Sequence, residues 1–183
     1  MTMTIPATTS TTGLLVTGLF PTRDHAEAAY RAAHVRGYNK DDINLVMSDD
    51  TRNLHFSGTT AHKETELGTK AAEGAGIGGA IGGTIGAIAA AIAAVGTSLV
   101  LPGLGLVIAG PLAAAVAGAG AGAASGGLIG ALVGWNIPEE RVKDYEEGVK
   151  KGGILMSVQA KDEDDANYLI EQWKLHGGQQ VYR

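Results

Sequence analysis

The chain has 183 residues, of which 28 are glycine and none is cysteine, and its formal net charge is −5. Without cysteine there are no disulfides, zinc–thiolate sites or cysteine nucleophiles. The acidic balance argues against a nucleic-acid surface, and the 14 Lys and Arg are scattered, with Lys150-Lys151 their only adjacent pair.

Residues 1–12, MTMTIPATTSTT, predict a flexible threonine-rich tail. They show neither the basic start nor the apolar core of a secretory leader, so the cytoplasm is the expected compartment. Residues 13–60 read as a first βαβ half. Leu14 to Phe20 is an apolar run of strand length, and Thr22 is placed to cap a helix. Ala26, Ala29, Tyr30 and Ala33 recur at helical spacing, Gly37 suits the position just past the helix end, and Ile43 to Met47 forms a second strand. The stretch 48–73 is polar and carries turn signals such as Asp49-Asp50 and Ser57-Gly58, with 61–73 as a linker.

Between Glu73 and Glu139 there is no Asp, Glu, Lys, Arg or His. Gly74, Gly78, Gly82 and Gly86 recur every fourth residue, and a second ladder runs Gly110, Ala114, Gly118, Gly122, Gly126, Gly130, Gly134. Each helical glycine is unfavourable by about 1 kcal/mol against alanine, so such helices need close contact with another backbone. Residues 74–136 therefore read as a glycine-zipper helical hairpin. Its arms, 74–96 and 111–135, would each be about 35 Å long. The link TSLVLPGLGLVIAG supplies the turn, and Pro111 opens the second arm. Ile77, Ile81, Ile85, Ile88, Ile92 and Val95 form a bulky stripe beside the first ladder, whereas Val116 is the one large side chain from Ala113 to Gly127.

Residues 137–183 read as an extra helix and a second βαβ half. Pro138 fits a first helical position, and Val142, Tyr145 and Val149 give one apolar face. Ile154 to Ala160 is a strand. Asp162 caps a helix that buries Ala166, Leu169, Ile170 and Trp173, and Gln179 to Tyr182 ends the chain. The two halves align without a gap at an offset of 140: Gly13 with Gly153, Thr17 with Ser157, Thr22 with Asp162, Ala26 with Ala166, Gly37 with Gly177. The expected fold class is α+β, a ferredoxin-like split βαβ sandwich with the Gly/Ala-rich hairpin inserted between its halves.

The span Leu15 to Gly37 and the passage IPEERVKDYEEGVKKGGILMSV, residues 137–158, resemble bacterial general stress proteins of the YflT type, whose longer members carry a similar glycine-zipper insertion. The resemblance implies a stress-associated protein with no established enzymatic activity, and it supplies no catalytic residue.

Other chemistry is poorly supported. Gly74 to Gly79 satisfies G-x-G-x-x-G, but polar HKETELGTKAAE precedes it where a dinucleotide site needs a strand. His25, His34, His55, His62 and His176 form no i,i+4 pair, and His55, His62, Glu64 and Glu66 read as solvated linker residues. The carboxylates from Asp162 to Asp165 read as an acidic first helical turn, and Ser125 has no neighbouring base. No catalytic residue, metal, cofactor, nucleic acid or small-molecule substrate is expected.

Three functional readings stand. The first is a non-enzymatic homo-oligomer that associates through Gly74, Gly78, Gly82, Gly86, Gly118, Gly122, Gly126, Gly130 and Gly134, flanked by Ile77, Ile81, Ile85 and Ile88. The second embeds the hairpin in a membrane, since each arm exceeds about 20 uncharged residues. The second arm, though, offers lipid little but Ala and Gly for four turns, and the flanking charges carry no positive-inside bias. The third is a ligand-binding module using the sheet.

Overall fold

A computed structural model describes residues 14–56, 88, 98–101, 105–113, 132 and 137–183. The threonine-rich tail, the 61–73 linker and most of the glycine-rich block lie outside these residues. The chain is mixed α+β. In chain order the elements are β1 (Leu14–Phe20), α1 (Arg23–Val35), β2 (Ile43–Ser48), α2 (Asp49–Phe56), β3 (Ser98–Leu101) and β4 (Leu106–Ala109). There follow α3 (Glu139–Lys150), β5 (Ile154–Ala160), α4 (Glu163–Leu175) and β6 (Gln179–Tyr182).

Among the described residues six strands form one sheet in the order β3-β4-β2-β5-β1-β6, with every neighbouring pair antiparallel. Because β1 and β2 both run antiparallel to β5, they are parallel to each other. By the same reasoning β5 and β6 are parallel around β1. The two strand–helix units interleave, and each places its helix on the same face.

Side-chain alternation assigns the two faces. Val16, Phe20, Ile43, Leu45, Met47, Met156 and Val158 point to the first face, where they meet Ala26, Ala29, Tyr30 and Ala33 of α1 and Ala166, Leu169 and Trp173 of α4. Trp173 is fully buried, donates its indole N–H to the Ala29 carbonyl at 3.2 Å and meets Phe20 edge-on at 5.6 Å. Leu19, Val46, Leu106, Ile108 and Leu155 point to the second face, which α3 covers with Val142, Tyr145 and Val149. The sheet is thus the middle of three layers, and α3 turns its charged side outward, where Lys150–Glu146 and Lys151–Glu147 pair at i,i+4.

Helix ends follow the sequence closely. Thr22 and Asp162 cap α1 and α4 by accepting the His25 and Asp165 N–H groups, and Gly37 and Gly177 follow with φ of +95° and +77°. Pro138 occupies the cap of α3 instead of its first turn.

Two segments differ from expectation. Asp49-Asp50 opens helix α2 instead of a turn. Ser48 Oγ accepts the Thr51 N–H at 3.0 Å, and both aspartates sit in the first turn, where the helix dipole favours negative charge. The link 97–110, expected to be a bare turn between two helices, contains the β3–β4 hairpin. Its second strand pairs Leu45–Ser48 with Leu106–Ala109 and so extends the sheet past β2. An apolar run with alternating faces satisfies its backbone at a sheet edge better than as a loop.

Candidate functional site

The glycine ladder can be located only where its flanks touch the domain. Gly74, Gly78, Gly82, Gly86, Gly118, Gly122, Gly126, Gly130, Gly134, Ile77, Ile81 and Ile85 lie outside the described residues, as do Ser125, His62, Glu64 and Glu66. Ile88, expected at the oligomer interface, is described, and it is fully buried in the first-face core of its own chain. Leu112, Ala113 and Leu132 are buried on the second face. Ile88 and these three residues are therefore buried on opposite sides of the sheet.

Gly110, read as the first rung of the second ladder, has a different task. Its φ is +97°, and a Cβ there would overlap the Ile43 carbonyl oxygen. Only glycine lets the chain leave β4 and pass this close to β2. Residues 111–113 are helical, so Pro111 does open a helix.

A buried polar row crosses the second face. Thr17 of β1 and Ser157 of β5 are direct cross-strand partners, 3% and 4% exposed. Thr17 Oγ1 is 2.7 Å from the Tyr145 hydroxyl, which donates to the Gln180 carbonyl at 3.0 Å. Asn44 of β2 donates its amide to Ser157 Oγ at 3.3 Å and accepts the Leu112 N–H at 2.7 Å. Asn44 is thus a remote cap for the helix that Pro111 begins. Burial pushes the Tyr145 hydroxyl up to about 12, against the opposing hydrogen bond from Thr17, so at neutral pH it is a neutral hydrogen-bonding group. The row was readable in the sequence only as single polar residues inside apolar strands: Thr17 in LLVTGLF, Asn44 in INLVMS, Ser157 in ILMSVQA.

Two charged clusters stand on the first-face helices. Asp165 accepts from the Tyr38 hydroxyl and from Arg36 Nε, each at 2.6 Å. The Tyr38 hydrogen bond, reinforced by Arg36, holds this carboxyl below its ordinary range. Burial first, and Asp165 second, push Tyr38 up to about 12. Lys161 lies over the Tyr38 ring at 4.6 Å, and its N–H donates to the Tyr38 oxygen. The other cluster joins Arg23 and Glu27 of α1 to α2 and to Ile88. Burial, followed by the Glu27 charge, raises the nearby Tyr30 to about 12.

Each of these polar groups has a partner inside the protein, so the clusters join elements instead of presenting a reacting group to a cleft. Among the described residues no three His, Asp or Glu side chains gather as metal ligands, and no helix is long and apolar enough to cross a membrane. No known family model matches the chain, and neither a curated protein nor a solved structure does.

Proposed function

We propose that this is a non-enzymatic, stress-associated structural protein of ferredoxin-like topology that self-assembles through its glycine-rich insertion. The strand order β2-β5-β1-β6 with α1 and α4 on one face supports the split βαβ reading, with β3–β4 as an added hairpin. The observation that carries self-assembly is where the described residues of the insertion are buried. Ile88 belongs to the first-face core, and Leu112, Ala113 and Leu132 to the second. Arms anchored on opposite sides of a sheet are poorly placed to act as each other's zipper partner, and glycine ladders are unfavourable unless another backbone packs against them. A second copy of the chain supplies that backbone. The coverage of the second face by α3 argues against the ligand-module reading.

Light scattering on detergent-free protein tests this. The expected result is a multimer that dissociates when Gly82→Leu and Gly122→Leu are combined, through steric overpacking of about 1–3 kcal/mol per site. A monodisperse monomer, or association that survives the double substitution, overturns the proposal. The uncharged run 74–138 favours a second reading, insertion into a bilayer with the α+β domain in the cytoplasm. Co-flotation of the chain with lipid vesicles, retained in the double variant, would favour it.

A further inference from the structure

The two strands of each half do not pair with one another. In the order β2-β5-β1-β6, β5 separates β1 from β2, and β1 separates β5 from β6. The ladders of β5 and β6 are therefore all made with strands of the first half. The polar contacts between the helical ends follow the same rule: Trp173 donates to the Ala29 carbonyl, and Arg36 and Tyr38 donate to Asp165. The hydrogen-bonded anchors of the insertion fall on the first half alone. Glu27 accepts the Ile88 N–H, β4 pairs with β2, and Asn44 accepts the Leu112 N–H. By its hydrogen bonding the chain thus divides into residues 14–113, among those described, and residues 137–183. The second unit finds its sheet partners only on the first.

We propose that copies of this chain exchange these units, so that residues 137–183 of one copy complete the sheet on β1 and β2 of another. The proposal rests on the self-assembly reading above. An exchanged pair makes the same ladders and the same buried contacts as a single chain, so those contacts do not choose between the two states. The choice is set by the effective concentration of a chain's own second unit against that of a neighbour's. Copies held together through the glycine-rich insertion raise the neighbour's share. Exchange then adds to the assembly a contact that the first unit recognises by strand register, outside the insertion itself.

The absence of cysteine makes a direct test available. Leu15 and Gln159 are cross-strand partners on β1 and β5, half-buried and exposed respectively. Leu15→Cys is made in one full-length chain and Gln159→Cys in a second, isotope-labelled one. The two are unfolded together, refolded as a mixture and treated with a short bismaleimide, and the conjugates are sorted by intact mass. The mixed conjugate should exceed either like-with-like conjugate by about tenfold or more, since exchange presents each thiol to its partner at an effective concentration in the mM range. Mixed conjugate at the random proportion overturns the exchange, provided a chain carrying both substitutions links within itself. Failure of that doubly substituted chain to link in any form overturns the register on which the exchange depends. Light scattering on the same mixture separates the two readings. A monomer at every concentration overturns self-assembly and the exchange with it, whereas a multimer with only random conjugates overturns the exchange alone. Should Leu15→Cys lose its cooperative unfolding transition, Arg36→Cys and Tyr168→Cys take the two places and are judged by the same outcomes. The parent guanidinium lies over that ring at 4.9 Å, across the same boundary.

Discussion

Thr17 faces Ser157 across the β1–β5 pair, and these two residues are each other's equivalents at the 140-residue offset. A local pseudo-twofold axis therefore passes between them. The elements obey it closely: β1 and β5 start at 14 and 154, α1 and α4 span 23–35 and 163–175, and the caps fall at 22 and 162. The symmetry breaks where the halves meet other parts of the chain. Thr17 bonds to Tyr145 of α3, and Ser157 bonds to Asn44, which accepts the Leu112 N–H.

That attachment makes Asn44 a test of how the insertion is fixed. Asn44→Ala removes the acceptor of a buried backbone N–H and should cost about 1–3 kcal/mol in urea unfolding. Because Ser157 shares the network, the double substitution with Ser157→Ala should cost less than the sum of the singles. Strict additivity would show that the two residues act separately.

The Asp165 cluster should shape the acid limb of stability. Its carboxyl is held below the ordinary range by Tyr38 and then Arg36, so it contributes stability above the ordinary carboxylate pKa. That contribution is lost as pH falls through the lower folded value. Asp165→Asn should therefore lower the Tm at neutral pH, and the gap to the parent should close below about pH 4. A gap independent of pH would remove the charge from the account.

The alkaline limb is set by tyrosines. Tyr30, Tyr38 and Tyr145 are each raised from 10.0 to about 12, with burial the largest cause in every case. A group raised on folding contributes stability that is fully present below its unfolded pKa and is lost as pH rises through the folded one. Stability should decline from about pH 10 upward, and three of the tyrosines should titrate late by ultraviolet absorbance. Phenylalanine at position 30 should shrink the decline.

At Gly148 the α3 helix meets β1 with no room to spare. A Cβ there would overlap the Leu19 side chain, which is 6% exposed, and the Gly148 carbonyl already accepts the Gly153 N–H at 3.0 Å. Gly148→Ala gains about 1 kcal/mol of helix propensity, but overpacking of about 1–3 kcal/mol should exceed it. Denaturant titration should show net loss, partly restored by Leu19→Ala in the same chain. A stabilised Gly148→Ala would mean that Leu19 moves aside freely.

Gln180 should behave in the opposite way. It has φ of +48°, sits where the β1–β6 register breaks, and has a buried amide oxygen without a hydrogen-bond partner among the described residues. Gln180→Gly relieves the left-handed strain and removes that oxygen, and the Tyr145 bond to the backbone carbonyl stays. The Tm should rise, by an amount equivalent to about 1 kcal/mol or less. A fall in Tm would mean that the Gln180 side chain packs more usefully than its strain costs.

Local chemistry alone settled a large part of this protein. Thr22, Asp162, Gly37 and Gly177 act on the backbone within a few residues of themselves, so the ends of α1 and α4 were legible from the sequence, and so was the repeat that copies them. What only the tertiary structure decided depends on partners distant in the chain. Leu106–Ala109 becomes a strand because β2 offers it an unpaired edge, and Gly110 is required because Ile43 passes beside it. Ile88 belongs to the core because Glu27, 61 residues earlier, receives its N–H. A hydrophobic period reports which residues leave water, but burial is non-directional, and it takes the long-range hydrogen bonds to specify the surface they are buried against.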